Sequence, residues 1–353
     1  MSTRIPTVVL GGSGYVAGEL LRLLVAHPHF ALAGVLSDSK PGERVASAFP
    51  HLQSAYADTC FASRTEIEAV LAESASSAIV SAAPHGVAAG LIDGLLDAAE
   101  RAGKRPRVVD ISADFRYRSP EAYRAVYGHE HAAPRRLGEF TCAVPEHLAH
   151  LATPHVAHPG CFATAVLLAS VPLLTLGLAA PTLYVCGITG STGSGRKPVD
   201  GTHHPLRHGD VWSYGALSHR HVPEIVACAR AASGVEPDVS FVPSSGPFAR
   251  GIHVTVQGAL RASRDSTSII GALKEFYARA PFVRVSGAAP RVKNVVASNY
   301  AHLSAAANGR TVAVMCVLDN LVKGAAGGAL QWLNRMFELP ETTGLQAPAP
   351  GWT

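Results

Sequence analysis

The sequence predicts an α/β protein with two domains, and three observations support this. Its 353 residues exceed the roughly 250–300 at which a single hydrophobic core usually stops growing. Up to about residue 110, short β-branched runs alternate with helical stretches, which is typical of a parallel sheet covered by helices. Beyond about residue 155 the strand candidates lack short intervening helices, which indicates a mixed or antiparallel sheet in an α+β domain.

The elements can be assigned in chain order from their periodicity. In the first domain, strand candidates occupy residues 7–10, 31–37, 78–83 and 107–112, and helix candidates occupy 18–28, 65–74 and 90–103. In the second domain, strand candidates occupy 183–189, 239–244, 251–260 and 311–318, and an amphipathic helix candidate follows at 320–337. We expect the first domain to cover 1–157, joined by the C-terminal helical segment 320–345, and the second to cover 158–319.

Composition narrows the class of protein. Hydrophobic residues make up 48% and charged residues 16%, which excludes general disorder. The net charge is +4 and the Lys and Arg residues are scattered, so we expect no nucleic-acid partner. The apolar stretch 163–181 is interrupted by Pro172, so we expect no membrane span. Six cysteines without CxxC spacing, and a segment 1–10 unlike a secretory signal, lead us to expect a cytoplasmic protein.

A glycine-rich segment, GGSGYVAG at residues 11–18, lies between the first strand and helix candidates. Gly12, Gly14 and Ala17 fit the pattern G-x-G-x-x-A, whose glycines let the main chain approach a pyrophosphate at a helix N-terminus. The alternative is an ordinary strand-to-helix turn. The position directly after the first strand favours a Rossmann-type dinucleotide-binding domain.

The choice of dinucleotide depends on the end of the second strand candidate, where Ser37, Asp38, Ser39 and Lys40 follow one another. An acid such as Asp38 favours the ribose 2′-hydroxyl of NAD. Ser39, Lys40 and Arg44 instead suit the 2′-phosphate of NADP. The residues by themselves leave this choice open.

A candidate nucleophile lies in HPGCFATA at residues 158–165, which precedes an apolar helix candidate. Cys161 would then lie at or near a helix N-terminus, whose partial positive charge favours the thiolate. The alternative is a buried structural cysteine. We interpret the remaining cysteines in that way, namely Cys60, Cys142, Cys186, Cys228 and Cys316.

A pair of histidines occurs in SHRHVPEI at residues 218–225, just before a predicted helix. In an extended segment, His219 and His221 would share one face and Arg220 would lie on the other. Either histidine could exchange a proton with the candidate nucleophile. Alternatively they are surface residues, or they form a metal site with the histidines of the 203–208 tract. No HExxH or paired CxxC motif occurs, so we expect no metal.

Three further segments carry polar groups at loops. GITGSTGSGRKP at 187–198 either closes on an anion or the nicotinamide end of a cofactor, or is a mobile surface loop. DISADFR at 110–116 follows a predicted strand, and its Arg116 either binds a phosphate bidentately or forms a surface salt bridge. The pair Asp319-Asn320 either belongs to the site or caps the helix after it.

Eight segments together resemble the family of N-acetyl-gamma-glutamyl-phosphate reductases of arginine biosynthesis. They are GGSGYVAGELLRLL, SAAPHGV, DISADFR, HPGCFATA, GSTGSGRKP, SHRHVPEI, ARGIHVT and DNLVKGAAGGALQ. They occur in the order of that family, from about residue 6 to 345. The family is itself similar to the aspartate-semialdehyde dehydrogenases and more distantly to the glyceraldehyde-phosphate dehydrogenases.

The resemblance implies that NADPH reduces N-acetyl-L-glutamyl 5-phosphate to the 5-semialdehyde with release of phosphate. Cys161 would form a thioester, and His221, or else His219, would act as acid and base. His221 is favoured because it is nearer the helix start. The residues implied to bind substrate are Arg116, which would hold the phosphate, Ser112 and Arg220. The residues implied to bind the cofactor are Gly11, Ser13, Gly14, Tyr15, Val16, Ser37, Ser39, Pro84, Ser191, Gly193 and Asn320, the last by orienting the nicotinamide carboxamide.

The chain also departs from the family pattern. Members often carry an arginine where this chain has Asp38, so NAD stays as the second choice after NADP. Residues 201–221 resemble the aminoadipate-phosphate reductases of carrier-protein lysine biosynthesis, which tend to lose the loop kept here at 195–197. A lysine-type substrate is therefore the alternative. Other classes are a catalytically silent dinucleotide-binding regulator and a metal hydrolase. The family further implies a homo-oligomer, a dimer or tetramer built on the sheet of the second domain.

Overall fold

The computed structural model describes residues 4–351, which form two compact units. The first unit comprises residues 4–143, 150–158 and 326–345, and the second comprises 144–149, 159–325 and 346–351. Segments 144–149 and 320–325 therefore belong to the second unit, whereas the sequence pattern assigns them to the first. Residue 158 belongs to the first unit instead of the second. Residues 1–3 belong to segment 1–10, which is unlike a secretory signal, and they lie outside the described residues.

The first unit contains a six-stranded parallel sheet in the order β2-β1-β3-β4-β6-β5. Its strands are β1 Ile5–Leu10, β2 Phe30–Leu36, β3 Ala78–Ser81, β4 Arg107–Asp110, β5 Phe140–Cys142 and β6 His155–Ala157. Its helices are α1 Tyr15–Val25, α2 Val45–Ala48, α3 Gln53–Tyr56, α4 Arg64–Glu73, α5 Ala88–Arg101 and α6 Pro120–Tyr127. Short 3-10 turns cover Pro50–Leu52 and Pro134–Glu139. The predicted α/β architecture is confirmed.

Local sequence explains where these elements begin and end. Val8, Val9 and Leu10 of β1 are all fully buried, because a central parallel strand is covered on both faces and so carries a continuous apolar run. Helix α4 begins at Ser63, whose hydroxyl accepts the N–H of Glu66 while the Glu66 carboxylate accepts the N–H of Ser63.

The second unit contains a seven-stranded mixed sheet in the order β11-β12-β13-β10-β7-β9-β8. Its strands are β7 Ala179–Thr189, β8 Trp212–Ser213, β9 Asp238–Ser245, β10 Ile252–Leu260, β11 Val283–Val285, β12 Ala301–Ala307 and β13 Thr311–Leu318. The pairs β7–β9 and β11–β12 are parallel and the others are antiparallel. Its helices are α7 Cys161–Thr175, α8 His204–Arg207, α9 Val222–Ser233 and α10 Ser266–Phe276. Short 3-10 turns cover Pro145–His147, Ser191–Ser194, Asp200–Thr202 and Val292–Asn294. This is the mixed-sheet domain that the sequence predicts.

Helix α7 fixes the inner face of this sheet. Every residue from Phe162 to Leu174 is buried, because the helix packs against β7, β10 and β13 on one side and α9 on the other. Burial alternates along β7, so Leu183, Val185 and Gly187 face the interior. The opposite face of the sheet is exposed, and Tyr184 there is 60% exposed.

The predicted helix 320–337 is divided in the structure. A π-helical turn covers Val322–Ala326, in the second unit except for its last residue, and helix α11 covers Gly327–Met336 in the first unit. The amphipathic pattern predicts a single regular helix, and this detail is wrong. Among residues 4–351, none of the helices is both long and apolar enough to cross a membrane.

Candidate functional site

The glycine-rich turn of the first unit joins β1 to α1. Gly11 has a φ of +72°, and a Cβ there would lie 2.5 Å from the carbonyl oxygen of Ala82, so only glycine fits. A Cβ at Gly14 would meet nothing closer than 3.7 Å, so the main chain is open at this point. Tyr15 and Val16 begin α1 without a side-chain cap, and their N–H groups have no acceptor within the helix. Such an open helix N-terminus suits a pyrophosphate.

Three predicted cofactor residues meet at the end of β2. The Ser13 hydroxyl lies 3.2 Å from the Ser39 hydroxyl, which lies 3.3 Å from that of Ser37. Lys40 is paired with Glu43 at 2.8 Å on the surface. The serines therefore form a hydroxyl cluster next to the glycine-rich turn.

Segment 110–116 is tightly bonded within the first unit. Arg116 is 6% exposed, and it donates from Nε to the His158 carbonyl at 3.0 Å and from Nη2 to the Ile111 carbonyl at 2.7 Å. Ser112 is also buried and donates its O–H to Asp110 at 2.6 Å. Burial raises the pKa of Asp110 to about 6. Arg116 is thus buried and supports the main chain of His158 and Ile111, rather than lying at the surface.

The loop that contains Pro84 is anchored by the same segment. The Pro84 carbonyl accepts the N–H of Val87. The carboxylate of Asp114 accepts the N–H groups of Gly86 at 2.8 Å and Ala89 at 3.0 Å. A buried carboxylate therefore caps the start of α5, and the loop after β3 has a defined main-chain path.

Cys161 is the first residue of α7, as the sequence predicts. Gly160 precedes it, and its N–H donates to Glu224 Oε1 at 2.9 Å. A Cβ at Gly160 would lie 2.5 Å from Nε2 of His221, so that imidazole lies directly against the main chain beside Cys161. A Cβ at Gly324 would lie 2.6 Å from Cβ of Cys161. The thiol is therefore enclosed by a helix N-terminus, an imidazole and a glycine surface.

The two histidines meet through a turn. His221 has φ −81° and ψ −13°, and the Val222 N–H donates to the His219 carbonyl at 3.0 Å. The predicted extended conformation is therefore wrong. The turn nevertheless brings the rings of His219 and His221 into edge-to-face contact at 4.7 Å, because it reverses the chain just before α9.

His219 differs in character from His221. Its Nδ1 accepts the main-chain N–H of His221 at 3.2 Å, and its ring packs on Phe241 at 5.3 Å. Burial, and to a smaller extent the charge of Arg220, lower the pKa of His219 to about 4. Burial likewise raises the pKa of Tyr214 to about 12. His219 is therefore neutral at neutral pH and acts as an acceptor for the main chain.

These residues line one cavity of about 520 Å³ within the second unit. Its lining consists of Cys161, Phe162, Thr189, Gly193, Ser194, Val199, Gly201, Thr202, Trp212, Tyr214, Gly215, Ser218, His219, Arg220, His221 and Ser245. The predicted nucleophile, both histidines and Arg220 thus lie in the same small-molecule-sized space. Unlike most of the second unit's interior, it combines aromatic walls with several hydroxyl groups.

The glycine-rich loop after β7 is ordered by an asparagine. The loop forms a 3-10 turn, in which Ser191 donates its N–H to the Phe248 carbonyl at 2.9 Å and Gly193 lines the cavity. Asn320 is 3% exposed, donates to the Thr192 hydroxyl at 3.0 Å, and accepts the Gly251 N–H at 2.7 Å. Asn320 therefore ties the loop to the strand beside it.

Asp319 caps the helical turn that follows it, which is one of the two interpretations that the sequence allows. Its carboxylate accepts the N–H groups of Leu321 at 2.8 Å and Val322 at 2.9 Å. It also forms an ion pair with Arg250 at 3.0 Å. The charge of the cap is thus balanced although Asp319 is fully buried.

The sequence singles out segment 319–324 but assigns no role to its Lys323 and Gly324, and it gives no sign of Glu146. Lys323 and Glu146 form an ion pair at 2.6 Å, with side chains 0% and 1% exposed. Gly324 follows Lys323 in the chain and approaches Cys161 so closely that a Cβ on Gly324 would lie 2.6 Å from Cβ of Cys161. Gly324 lies inside the predicted helix 320–337, where glycine is unfavourable unless the main chain must approach another group closely. Its presence could therefore have indicated the close approach to Cys161. The ion pair left no local signal, because its members are distant in sequence.

The upstream histidines His203, His204 and His208 lie at the surface of the second unit. Rings of His204 and His208 lie 5.2 Å apart at the surface. No group of three or more His, Cys, Asp or Glu side chains suited to a metal ion exists among residues 4–351. All six cysteines are free thiols.

Comparison with known proteins gives the class of this chain. Two family models match, described as "Semialdehyde dehydrogenase, NAD binding domain" at residues 7–152 and "Semialdehyde dehydrogenase, dimerisation domain" at 161–320. A solved aspartate semialdehyde dehydrogenase II from Vibrio cholerae has a TM-score of 0.69 at 14% identity, covering 96% of this chain and 99% of its own. A probable aspartate-semialdehyde dehydrogenase from Pseudomonas aeruginosa has a TM-score of 0.66 at 16% identity, with 95% and 99% covered. The chain is thus a two-domain oxidoreductase of the semialdehyde dehydrogenase class, and its first unit is a nicotinamide-dinucleotide-binding domain.

Curated relatives narrow the class further. Proteins named N-acetyl-gamma-glutamyl-phosphate reductase are similar over nearly the whole chain. The relative from Rhodospirillum rubrum is 38% identical over 98% of each chain, and those from Nitrosococcus oceani and Frankia casuarinae are each 36% identical over 97% of this chain and 98% of their own. The chain belongs to the family of N-acetyl-gamma-glutamyl-phosphate reductases.

Proposed function

We propose that this enzyme reduces N-acetyl-L-glutamyl 5-phosphate to N-acetyl-L-glutamate 5-semialdehyde and phosphate, with NADPH, in arginine biosynthesis. The observation that carries the proposal is Cys161 at the N-terminus of α7, in a cavity it shares with His221. The choice of substrate follows from relatives 34–38% identical, which are named N-acetyl-gamma-glutamyl-phosphate reductase.

Covalent catalysis begins at the sulfur of Cys161. The positive end of α7 favours the thiolate, which attacks the acyl carbon; the carbon–oxygen bond to phosphate breaks and a thioester remains. The first N–H groups of α7 have no helical acceptor, so they can stabilise the negative oxygen of the tetrahedral intermediate. The bound nicotinamide cofactor supplies the reducing equivalent, as a hydride. Collapse of the resulting thiohemiacetal releases the aldehyde and restores the thiolate.

His221 is the acid and base in this proposal. Its Nε2 lies against Gly160, next to the sulfur-bearing residue, where it can take the thiol proton and return it to an oxygen. His219 stays neutral, because burial lowers its pKa to about 4, and its Nδ1 holds the His221 main chain. Arg220, Ser112 and Arg116 are the proposed substrate-binding residues.

One feature of the first unit supports NADP as cofactor. The hydroxyls of Ser13, Ser37 and Ser39 converge at the end of β2, where a 2′-phosphate would find donors. Lys40, which pairs with Glu43, follows Ser39 in the chain. Asp38 lies exposed among them and opposes a phosphate, so NAD is the competitor. Titration of the enzyme with NADP and NAD measures the preference directly. Pro84, Ser191, Gly193 and Asn320 complete the proposed cofactor residues.

We further propose a homo-oligomer of cytoplasmic location that contacts through the outer face of the second unit's sheet. Tyr184 is 60% exposed and Ile188 39%, both on that face, which is unusual for a sheet whose other face is fully covered. The mass of the particle in solution tests this.

The reaction is tested in reverse, by following NADPH formation from NADP, phosphate and N-acetylglutamate semialdehyde. The N-acetyl-aminoadipate homologue is measured beside it. We expect phosphate-dependent NADP reduction with the shorter substrate. Activity with only the longer homologue would move the enzyme to lysine biosynthesis, and inactivity with both despite NADP binding would favour a regulator.

A further inference from the structure

Ser245 lies at the wall of the catalytic cavity and has no role in the chemistry above. It ends β9, where it is paired with Thr189 of β7 and with Trp212 of β8. Burial alternates along β9, so Phe241 and Ser245 face the same side of the sheet, the side that α7 covers. Ser245, Thr189 and Trp212 all line the cavity.

A buried arginine holds this serine. Arg207, the last residue of α8, is 7% exposed and donates from Nη1 to the Ser245 hydroxyl oxygen at 2.6 Å. Its Nη2 donates to the carbonyl of Gly246 and, at 3.2 Å, to that of Phe248, and its guanidinium lies 5.3 Å over the Trp212 ring. Among the ion pairs of residues 4–351 none involves Arg207, whose guanidinium instead donates to one hydroxyl and two carbonyl oxygens.

The hydrogen bond from Arg207 determines whether the Ser245 hydroxyl acts as a donor or an acceptor towards other groups. Because the serine oxygen accepts from the guanidinium, the hydroxyl proton must be donated to another group. The hydroxyl faces the cavity, and a neighbouring buried cation strengthens it as a donor to an anion. The wall at Ser245 is therefore suited to a negatively charged oxygen.

The position of Ser245 indicates which oxygen. A Cβ at Gly324 would touch both Cys161 and, at 3.4 Å, Cδ1 of Leu318. Leu318, Ile252, Thr189 and Ser245 form one row across four neighbouring strands. Three strand spacings amount to about 14 Å. Ser245 thus lies on the β9 side of the cavity wall, whereas Leu318, the strand residue nearest Gly324, lies on the β13 side.

We propose that Ser245, positioned by Arg207, is a specificity-determining residue that donates a hydrogen bond to the substrate carboxylate remote from the reacting carbonyl. The proposal rests on the proposed function, because it takes the substrate to be an acyl phosphate of an N-acylated amino acid. Arg207 acts through Ser245 and supplies the positive field on that side of the cavity.

The test is steady-state kinetics of the reverse reaction with Ser245→Ala. Loss of one hydrogen bond to a charged group predicts a KM for the semialdehyde raised about tenfold or more, with kcat and the KM values for phosphate and NADP within about twofold. Ser245→Thr keeps the hydroxyl and should restore most of the affinity. Ser244→Ala is the matched control, since Ser244 faces the other side of the sheet and bonds Ser213 at 3.0 Å.

A second substrate makes the test specific for the carboxylate. 4-Acetamidobutanal is the same aldehyde without the carboxylate, so wild type and Ser245→Ala should use it equally well. Arg207→Met should raise the semialdehyde KM in the same way as Ser245→Ala, and the two changes together should add little further.

Three results would overturn the inference. They are a raised phosphate KM in place of the semialdehyde KM, an equal loss on both aldehydes, and no change in Ser245→Ala while wild type is active. If wild type itself gives no phosphate-dependent reduction of NADP, the proposed function fails instead, so the two failures are distinguishable.

Discussion

The two ligand-binding regions of this enzyme are built from different parts of the polypeptide. In the first unit, the turn between β1 and α1 offers main-chain N–H groups, and its essential residues are glycines such as Gly11. In the second unit, the cavity presents side chains of Cys161, His219, His221 and Ser245, which come from separate helices, turns and strands. One region binds through a local backbone shape and the other through side chains gathered from distant segments.

This difference has consequences for mutation. A site made of main chain is damaged by adding atoms, because a new Cβ meets the backbone or the ligand. A site made of side chains is damaged by removing atoms, because each functional group is supplied once. The two regions can therefore be inactivated separately, and each prediction below either keeps them separate or tests their independence.

The largest effect is expected for Cys161→Ser. The serine hydroxyl is a poor nucleophile without further activation, so turnover in the reverse assay should fall by at least about three orders of magnitude. Binding of NADP, measured by titration, should be unchanged because Cys161 is not among the proposed cofactor residues and serine keeps nearly the same volume. Cys186→Ser is the control, since Cys186 is exposed on the outer face of β7. Retained turnover would exclude the thioester mechanism.

The next effect concerns the buried pair of Lys323 and Glu146. Lys323→Met removes the buried cation beside the Glu146 carboxylate, so the free energy of unfolding should fall by about 3–5 kcal/mol. Replacing both residues by Met should recover most of the loss, since no buried charge is left. Denaturant unfolding of the single and double variants measures the difference. A double variant as unstable as the single one would contradict the assignment.

A smaller effect is expected at the glycines of the first unit. Gly11→Ala places a Cβ against the Ala82 carbonyl at a φ of +72°, so it should cost about 1–3 kcal/mol of stability and also weaken NADP binding. Gly14→Ala meets no protein atom closer than 3.7 Å and should weaken NADP binding alone. Thermal unfolding and NADP titration separate the two. Unchanged NADP affinity in Gly14→Ala would show that the open surface at Gly14 is not a ligand surface.

The effect expected to be smallest at neutral pH is a pH dependence from His155 of the first unit, which grows only as the solution becomes acidic. Its Nδ1 accepts the Val108 N–H at 3.3 Å, and burial lowers the pKa of His155 to about 4. The unfolded state, with a pKa near 6.5, binds the proton more readily. Stability should therefore decrease as pH falls from 6.5 towards 4, by up to about 3 kcal/mol.

His155→Asn keeps an acceptor but does not titrate, so it should flatten this part of the profile. Melting temperatures of both proteins across the acidic range provide the measurement. Identical profiles would mean that other histidines, such as His147 and His219 of the second unit, whose pKa values burial also lowers to about 4, dominate the acid sensitivity.

The sequence predicted the region built from local main chain better than the region built from side chains of distant segments. The glycine-rich turn and the position of Cys161 were predicted correctly, because a strand, a turn and a helix start are encoded by adjacent residues. The conformation of the His219–His221 segment was predicted wrongly, since a turn and an extended segment have similar local patterns. Arg116 was predicted as a ligand-facing cation, and its bonds to His158 and Ile111 were not foreseen.

The sequence alone determined the two-domain α/β architecture, the parallel sheet, the dinucleotide turn and the candidate nucleophile, because each depends on periodicity or on neighbours along the chain. Only the tertiary structure decided that Gly324 encloses Cys161, that Lys323 pairs with Glu146, and that Arg207 donates to the Ser245 hydroxyl oxygen at the cavity wall. Such contacts join residues far apart in sequence, and their chemistry depends on burial and on distances of a few ångströms, which no local pattern records.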